Sequence, residues 1–176
     1  MAEMIFKFIG GIMVMLSSSF LGYVLSRDCA RRPQEIRELQ SLLQMLENQI
    51  SFMSEILSDA FENICRNSSS NVAVFFDATA GCLKSERNVD AGGAWERAVR
   101  ENSRKTALSR EDLGILYSFG KMLGSSDLEG QIKNIRLTRG QLELQEKKAE
   151  EYRRKNERMY KSLGVLGGIA VVIILL

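Results

Sequence analysis

Residues 34–66 read QEIRELQSLLQMLENQISFMSEILSDAFENICR and carry the most regular apolar pattern of the chain. Apolar residues recur at alternating steps of three and four: Ile36, Leu39, Leu43, Leu46, Ile50, Met53, Leu57, Ala60 and Ile64. This spacing gives a helix one apolar seam over about four heptads. Five more apolar residues widen the seam: Leu42, Met45, Phe52, Ile56 and Phe61. We therefore expect a long core helix that packs on several neighbours, with a homodimeric coiled coil as the alternative.

Turn signals divide the residues after this helix into shorter elements. A polar cluster at 67–71 precedes a second helix over about 71–84. A loop over 85–93 precedes a short third helix that holds Trp95, which we interpret as a core anchor. No segment alternates apolar and polar residues between turn signals, so we expect essentially no sheet. The predicted fold class is all-α, a cytosolic helical bundle with a long heptad-seam helix.

Two capping-box patterns mark the starts of the next two helices. The spacing Ser109-x-x-Asp112 predicts the beginning of a fourth helix, in which each residue satisfies a free amide of the other. Gly124 is suited to end that helix, because glycine adopts the left-handed conformation without strain. The spacing Ser126-x-x-Glu129 then repeats the capping box directly. The chain should therefore pass from helix to tight turn to helix within a few residues.

The last helix is expected to begin near Asp127 and to continue without a breaker. From Gln145 to Arg158 it is almost entirely charged or polar, as in a helix that crosses solvent. We interpret that part as a stem. The predicted division of the chain is a transmembrane helix at 5–26, a cytosolic helical bundle at 27–144, a charged helical stem at 145–161 and a C-terminal transmembrane helix at 162–176.

Both ends of the chain are apolar. Phe8 to Ser26 is a run of 19 uncharged residues, close to the roughly 20 that span a bilayer as a helix. A cleaved signal peptide is the alternative, but its apolar core is shorter, and Arg27 and Asp28 stand where small residues would be needed. The 15 residues from Ser162 onward are also uncharged. A buried core helix is the alternative there, although such a helix usually keeps a polar face.

Basic residues border the region between the two apolar ends. They are Arg27, Arg31 and Arg32 on one side, and Arg153, Arg154, Lys155, Arg158 and Lys161 on the other. Because basic residues beside membrane spans stay cytoplasmic, we expect a cytosolic middle and outward termini. Residues 131–161 hold ten Lys or Arg against five Glu, which would also attract anionic lipid head groups.

The composition excludes most familiar catalytic chemistry. The chain has no histidine, and therefore no imidazole base or ligand. Its three cysteines, Cys29, Cys65 and Cys82, match no zinc or redox spacing. Lys plus Arg number 24 against 22 for Asp plus Glu, without the aromatic platform of a nucleic-acid binder. We predict no catalytic residue, no metal site, no cofactor and no nucleic-acid partner.

Four segments together carry a resemblance to a known family. They are the helix from Arg37-Glu38-Leu39 to Ile64, Ala94-Trp95-Glu96, Ser109-x-x-Asp112, and the most specific string, Leu123-Gly124-Ser125-Ser126-Asp127-x-x-x-Gln131-x-Lys133-x-Ile135-x-Leu137. In these and in its apolar ends the chain resembles the stage III sporulation protein AB family of endospore-forming bacteria. That family is similar to the cytosolic domains of type II secretion and type IV pilus platform proteins. Such proteins anchor a secretion-like machine in the inner membrane and contact its cytosolic ATPase.

The resemblance implies a non-enzymatic membrane platform in the channel between mother cell and forespore. It implies a place in the mother-cell membrane, and a secretion-type cytosolic ATPase and other channel subunits as partners. Platform proteins typically carry two such domains and this chain carries one, so self-association is a further expectation. The alternative is a membrane-tethered helical signalling or sensor coil, which the heptad seam favours but which needs a sensor outside the membrane. A membrane enzyme is a third and more distant alternative.

The turn at 123–131, between the fourth helix and the last one, is the candidate site. It either sets the angle between the two helices or, as the resemblance implies, contacts a partner. Its candidate residues are Gly124, Ser126, Asp127, Gln131 and Lys133. Capping alone accounts for Ser126 and Glu129, and Asp127 adds favourable charge at the same helix start. No capping rule requires Gln131, which therefore distinguishes direct partner contact from a purely structural turn.

Overall fold

The computed structural model describes residues 13, 17, 20, 30–51, 57–85, 89–124 and 127–175, and all regular structure among them is helical. Residues 30–51 form α1. The further elements are α2 at Leu57–Arg66, α3 at Ala73–Ser85, α4 at Ala91–Asn102, a 3-10 turn at Ser103–Lys105, α5 at Arg110–Met122 and α6 at Leu128–Leu175. The predicted all-α fold is confirmed for these residues.

The chain divides into two compact units. One is Arg32–Lys147, which we call the bundle; the other comprises Met1–Arg31 and Lys148–Leu176. In the second unit the described residues belong mainly to the continuation of α6, where Glu150 forms ion pairs with Arg153 and Arg154. The predicted borders at 27, 144 and 161 stay predictions.

The two predicted transmembrane segments differ in how much of them is described. Most of the segment 5–26 lies outside the described residues, with only positions 13, 17 and 20 assigned, each as helix. At the other end, α6 continues into the segment 162–176 as far as Leu175. Among the helices that are described, none is both long enough and apolar enough to cross a membrane.

The apolar seam of α1 is buried within one chain. Its residues Ile36, Leu39, Leu42, Leu43 and Leu46 are at most 2% exposed, and the seam continues with buried Ile50, Ala60 and Ile64. Over the described part of α1 the alternative of a homodimeric coiled coil is therefore wrong, because the central seam residues are already buried within one chain and only Met45, at the edge of the widened seam, is exposed. Residues 52–56, with Met53, lie outside the described part, so the continuity of the predicted helix 34–66 stays a prediction.

Five aromatic rings from α2 to α5 form the aromatic cluster: Phe61, Phe75, Phe76, Trp95 and Phe119, all at most 1% exposed. Trp95 lies at its centre, with its ring centroid 5.1 Å from that of Phe76 and 5.2 Å from that of Phe119, both edge-on. Edge-to-face pairs are the favoured geometry of aromatic rings. The Trp95 indole N–H donates to the Leu116 carbonyl at 2.8 Å, so its polar atom is also satisfied. The prediction that Trp95 is a core anchor is confirmed.

Helices α4 and α5 approach closely at two glycines. A Cβ on Gly92 would lie 2.6 Å from the Gly120 carbonyl oxygen, and a Cβ on Gly120 would lie 2.7 Å from Trp95 Cδ1. The predicted loop over 85–93 is wrong at its end, because α4 already begins at Ala91. Glycine there allows the close helix contact and does not break the helix.

Candidate functional site

The start of α5 is a complete capping box. Ser109 Oγ accepts the Asp112 N–H at 3.2 Å, and Asp112 Oδ2 accepts the Ser109 N–H at 2.8 Å. Two free amides of the helix end are thereby satisfied reciprocally. Asp112 is 0% exposed, so this carboxylate needs a counter-charge inside the bundle.

Arg32 of α1 supplies that counter-charge and joins three helices. Its Nε lies 2.8 Å from Asp112 Oδ2 and its Nη2 lies 3.0 Å from Asp112 Oδ1, the two-point geometry in which guanidinium binds carboxylate strongly. Nη2 also donates to Ser109 Oγ of the α5 cap and to Gln145 Oε1 of α6. The hydrogen bond with Asp112 raises the pKa of Arg32, against the opposing effect of burial. The sequence indicated Arg32 only as one of the basic residues beside the first apolar segment. Its structural role in joining helices was missed by sequence reasoning.

A second buried carboxylate, Glu47 of α1, pairs with α6. Arg136 Nε donates to Glu47 Oε1 at 2.6 Å, and Arg139 Nη1 donates to Glu47 Oε2 at 3.1 Å. The Glu47 side chain is 8% exposed, so both its oxygens are satisfied by these two guanidiniums in a mostly dry position. The sequence held a usable signal: Glu47 follows Leu43 by four residues and Leu46 by one, and therefore borders the apolar seam.

A third contact between α1 and α6 is more open to solvent. Arg37 Nε and Gln40 Nε2 donate to the two oxygens of Glu146, at 2.5 and 2.8 Å. Partial burial raises the pKa of Glu146, but the hydrogen bonds from Arg37 and Gln40 outweigh it, and its pKa lies below the usual 4.5. We call the groups centred on Asp112, Glu47 and Glu146 the three polar clamps. The clamps at Glu47 and Glu146 set the register of α6 along α1. The clamp at Asp112 joins α1 to α5, with one further hydrogen bond from Arg32 to Gln145 of α6.

The candidate turn lies between α5 and α6. Gly124 has a φ of 76°, the left-handed conformation of a residue that follows a helix end. Asp127 Oδ1 accepts the Gly130 N–H at 2.9 Å, and the Asp127 carbonyl accepts the Gln131 N–H at 2.9 Å. Asp127 is therefore the N-cap of α6.

The predicted capping box of Ser126 and Glu129 stays a prediction, and the cap that the structure shows is Asp127, one residue later. Because α6 begins at Leu128, the residue at the third helical position is Gly130, and its amide binds Asp127. Glu129 lies exposed in the first turn, where its charge still complements the helix dipole. Ser126 lies outside the described residues.

Gln131 is a structural residue of this turn. Its side chain is 5% exposed, and its Nε2 donates to the Met122 carbonyl at the end of α5 at 3.3 Å. It therefore satisfies a carbonyl that the last turn of α5 leaves free. Direct partner contact through Gln131, one of the sequence-based alternatives, is not compatible with this burial. Lys133 is exposed and stays a candidate contact.

The described residues hold no group of three or more acidic or thiol side chains that could bind a metal ion. Cys65 is half-buried, and burial, together with Asp77 and Glu62, raises the pKa of its thiol to about 12. Such a thiol is almost fully protonated at neutral pH and is a poor nucleophile. Cys65 therefore contributes to packing and is not a reactive thiol.

Comparisons with known proteins agree on one family. The family model of stage III sporulation protein AB matches residues 7–176. The stage III sporulation protein AB of Bacillus subtilis (strain 168) is 30% identical over 170 residues, which cover 97% of this chain and 99% of that protein. A solved structure of a stage III sporulation protein AB is similar with a TM-score of 0.66 and 30% identity, covering 70% of this chain and 97% of that one.

The described part of the chain is a helical bundle, and its matches to sporulation proteins define it as a sporulation protein. More narrowly, the chain belongs to the stage III sporulation protein AB family.

Proposed function

We propose that the chain is a non-enzymatic membrane platform of a secretion-like channel complex in endospore formation. Its bundle docks a secretion-type cytosolic ATPase and other channel subunits. The observation that carries the proposal is the set of three polar clamps. Those at Glu47 and Glu146 hold α6 on α1 and thereby present one fixed outer face of α6 to partners, while the one at Asp112 holds α5 on α1. Membership of the sporulation family supplies the biological setting.

The use of buried charge supports a scaffold over an enzyme. Catalysis needs titratable groups that face a substrate, usually with a pKa shifted towards the working pH. In the bundle, the buried carboxylates instead accept from groups of the same chain: Asp112 from Arg32, Glu47 from two arginines, and Glu35 from the Ala107 amide. These carboxylates hold segments of the bundle together.

The membrane part of the proposal rests on the sequence. The uncharged segments 8–26 and 162–176 would anchor the chain, and the basic residues beside them favour a cytosolic bundle. By the resemblance to platform proteins, the membrane is that of the mother cell. Lipid contact at the basic stem fits this arrangement.

Co-purification tests the docking. The full chain, tagged at its native locus, is isolated from sporulating cells in mild detergent, and the bound proteins are identified by mass spectrometry. We expect a secretion-type ATPase and channel subunits at near-stoichiometric yield. A variant with Glu47 and Glu146 both replaced by Ala serves as the matched control, because it removes the two clamps that hold α6 on α1 and should lower that yield. Recovery of the chain without any ATPase would overturn the proposal.

Thiol labelling tests the topology. With Cys65 and Cys82 replaced by Ala, Cys29 is the last thiol of the chain. A membrane-impermeant maleimide should leave Cys29 unlabelled in intact cells and label it after lysis. Labelling before lysis would place the bundle on the wrong side of the membrane for a cytosolic ATPase.

A further inference from the structure

The outer face of α6 within the bundle is apolar at its centre. Leu137 and Leu144 are 53% and 61% exposed, although leucine side chains are costly to leave in water. They are seven residues apart and therefore lie nearly in line along the helix. Gly140 and Gln141, both exposed, lie between them on the same side. We call the surface of Lys133, Leu137, Gly140, Leu144 and Lys147 the outer α6 face.

No contact within the described part of the chain requires a glycine at position 140. It lies inside a regular helix, where glycine is less favourable than alanine. A Cβ built on it would meet nothing within 4 Å, in contrast to Gly92, whose Cβ would collide with α5. The missing side chain leaves a shallow notch between the two exposed leucines. A notch of this kind allows the backbone or a large side chain of another molecule to approach closely.

Lysines stand at both ends of this apolar row. Lys133 precedes Leu137 by one turn, and Lys147 follows Leu144 by one turn; both are exposed. Lys147 pairs with Glu143 in an exposed i,i+4 contact, which is weak and readily exchanged for another carboxylate. An apolar row with a cation at each end is complementary to an apolar row with an anion at each end.

We propose that the outer α6 face docks an amphipathic helix of a partner protein, with acidic side chains at both ends of its apolar stripe. One large apolar side chain of that helix fills the notch at Gly140, and the acidic residues pair with Lys133 and Lys147. This rests on the proposed function, since it names the surface by which the platform holds a partner. Helix-on-helix docking of this kind is read from anchors three, four and seven residues apart, as here.

The lysines disfavour two other occupants. If a second copy packed its outer α6 face on this one, a parallel arrangement would oppose Lys133 to Lys133, and an antiparallel one would oppose Lys133 to Lys147. Like charges in apposition weaken either pairing. An anionic membrane would attract the lysines, but it would not present a side chain or backbone to fill the notch at Gly140.

Site-specific cross-linking tests the face in the full chain. A photoreactive phenylalanine analogue replaces Gln141 on the face or, as control, exposed Ser118 of α5, and sporulating cells are irradiated. We expect a cross-link from position 141 to a helical segment of another protein with acidic residues flanking apolar ones, and none to that segment from position 118. A cross-link from 141 to a second copy, to lipid, to a segment without acidic residues, or to nothing overturns the proposal.

Two matched pairs of variants sharpen the result. Gly140→Ala and Gly114→Ala both replace open helical glycines and should preserve or raise the melting temperature, because neither added Cβ meets another atom. Only Gly140→Ala should lower the cross-link yield from position 141, and it should do so several-fold. Lys133→Glu should lower the yield similarly, whereas Lys133→Arg should keep it. Equal yields within either pair would contradict the notch or the charge pairing.

The outcomes separate this inference from the proposed function. If position 141 captures an acidic helix of a protein that is neither an ATPase nor a channel subunit, the inference stands and the proposed function fails. If the ATPase co-purifies but cross-links only from position 118, the proposed function stands and the inference is wrong.

Discussion

The two sides of the bundle are held together by different physics. On one side, the aromatic cluster of α2–α5 excludes water completely, and its one polar ring atom, Trp95 Nε1, is bound by a carbonyl. On the other side, α1 meets α5 and α6 through the three polar clamps, in which Arg32, Arg136 and Arg37 pair with carboxylates 80, 89 and 109 residues away along the chain. Apolar burial supplies the larger free energy, whereas charge pairs supply direction.

The contrast shows what each kind of contact can specify. Apolar side chains tolerate small shifts of one helix on another, because hydrophobic attraction has no preferred direction. A buried carboxylate does not, because a slip of one residue would leave it without its donor in a dry position. The clamps at Glu47 and Glu146 therefore define where α6 lies along α1, and with it the position of the outer α6 face.

Trp95→Ala should have the largest effect and tests the apolar side. The variant removes the ring at the centre of the aromatic cluster and leaves a cavity, at a cost of about 3–5 kcal/mol in the free energy of unfolding. Urea unfolding of the purified chain, followed by helical circular dichroism, measures it. Trp95→Phe is the control, because it keeps a ring and should cost clearly less. A loss below about 1 kcal/mol for Trp95→Ala would show that the cluster is not the main source of stability.

Asp112→Ala tests the buried clamp and should come next. It leaves Arg32 without its two-point partner and removes one half of the capping box, for a loss of about 2–3 kcal/mol, reduced by the partial exposure of Arg32. Asp112→Asn isolates the charge, since the amide oxygen can still cap. If both variants unfold at the urea concentration of the parent chain, charge does not position α1 on α5.

Asp127→Ala tests the register of the α6 start. Loss of the bond to the Gly130 amide should cost about 1 kcal/mol of unfolding free energy. Glu129→Ala, the residue that the sequence pattern favoured as the capping partner, should change it by less than about 0.5 kcal/mol. Equal losses from the two variants, measured side by side in urea, would return the cap to the register predicted from sequence.

Loss of the Glu146 clamp should have the smallest effect on the free energy of unfolding. That effect should be measurable as a change of the unfolding free energy with pH. The pKa of Glu146 is lower in the folded chain than in the unfolded one, so its contribution is complete above about pH 4.5 and is lost as the pH falls through the lower, folded value. Because Arg37 is half-exposed, the loss should not exceed about 1 kcal/mol. Unfolding free energies at pH 7 and at acid pH should therefore differ less in Glu146→Gln than in the parent chain. An unchanged difference would show that this clamp is not formed in solution.

Local spacing made part of this structure predictable. The seam of α1 and the capping box of Ser109 and Asp112 depend on residues within a few turns of one another, and both have the arrangement that their spacing indicates. The α6 cap depends on a choice between Ser126 and Asp127, adjacent residues that both cap well. Spacing to Glu129 favoured the first, and the observed start of the helix selects the second.

The clamps were not predictable as pairs, because no local rule states which arginine a distant carboxylate will meet. Charged residues are mostly exposed, so solvent was the default expectation for Glu47 and Arg139. Their positions indicated burial, since Glu47 borders the apolar seam of α1 and Arg139 lies between buried Ile135 and Leu142 on α6. Gln131 gave the same kind of signal, four residues before Ile135, and is buried for the same geometric reason.

The long separation between clamp partners has a consequence for the order of folding. Helices α2 to α5 are neighbours in sequence and close only short loops, so their contacts cost little chain entropy to form. During synthesis α1 leaves the ribosome first, but its clamp partners on α6 follow about a hundred residues later. We therefore expect the amides of α4 and α5 to become protected in pulsed hydrogen exchange before those of residues 128–147, with α6 closing over α1 as the last step. Simultaneous protection would show instead that α1 and α6 take part in the folding nucleus.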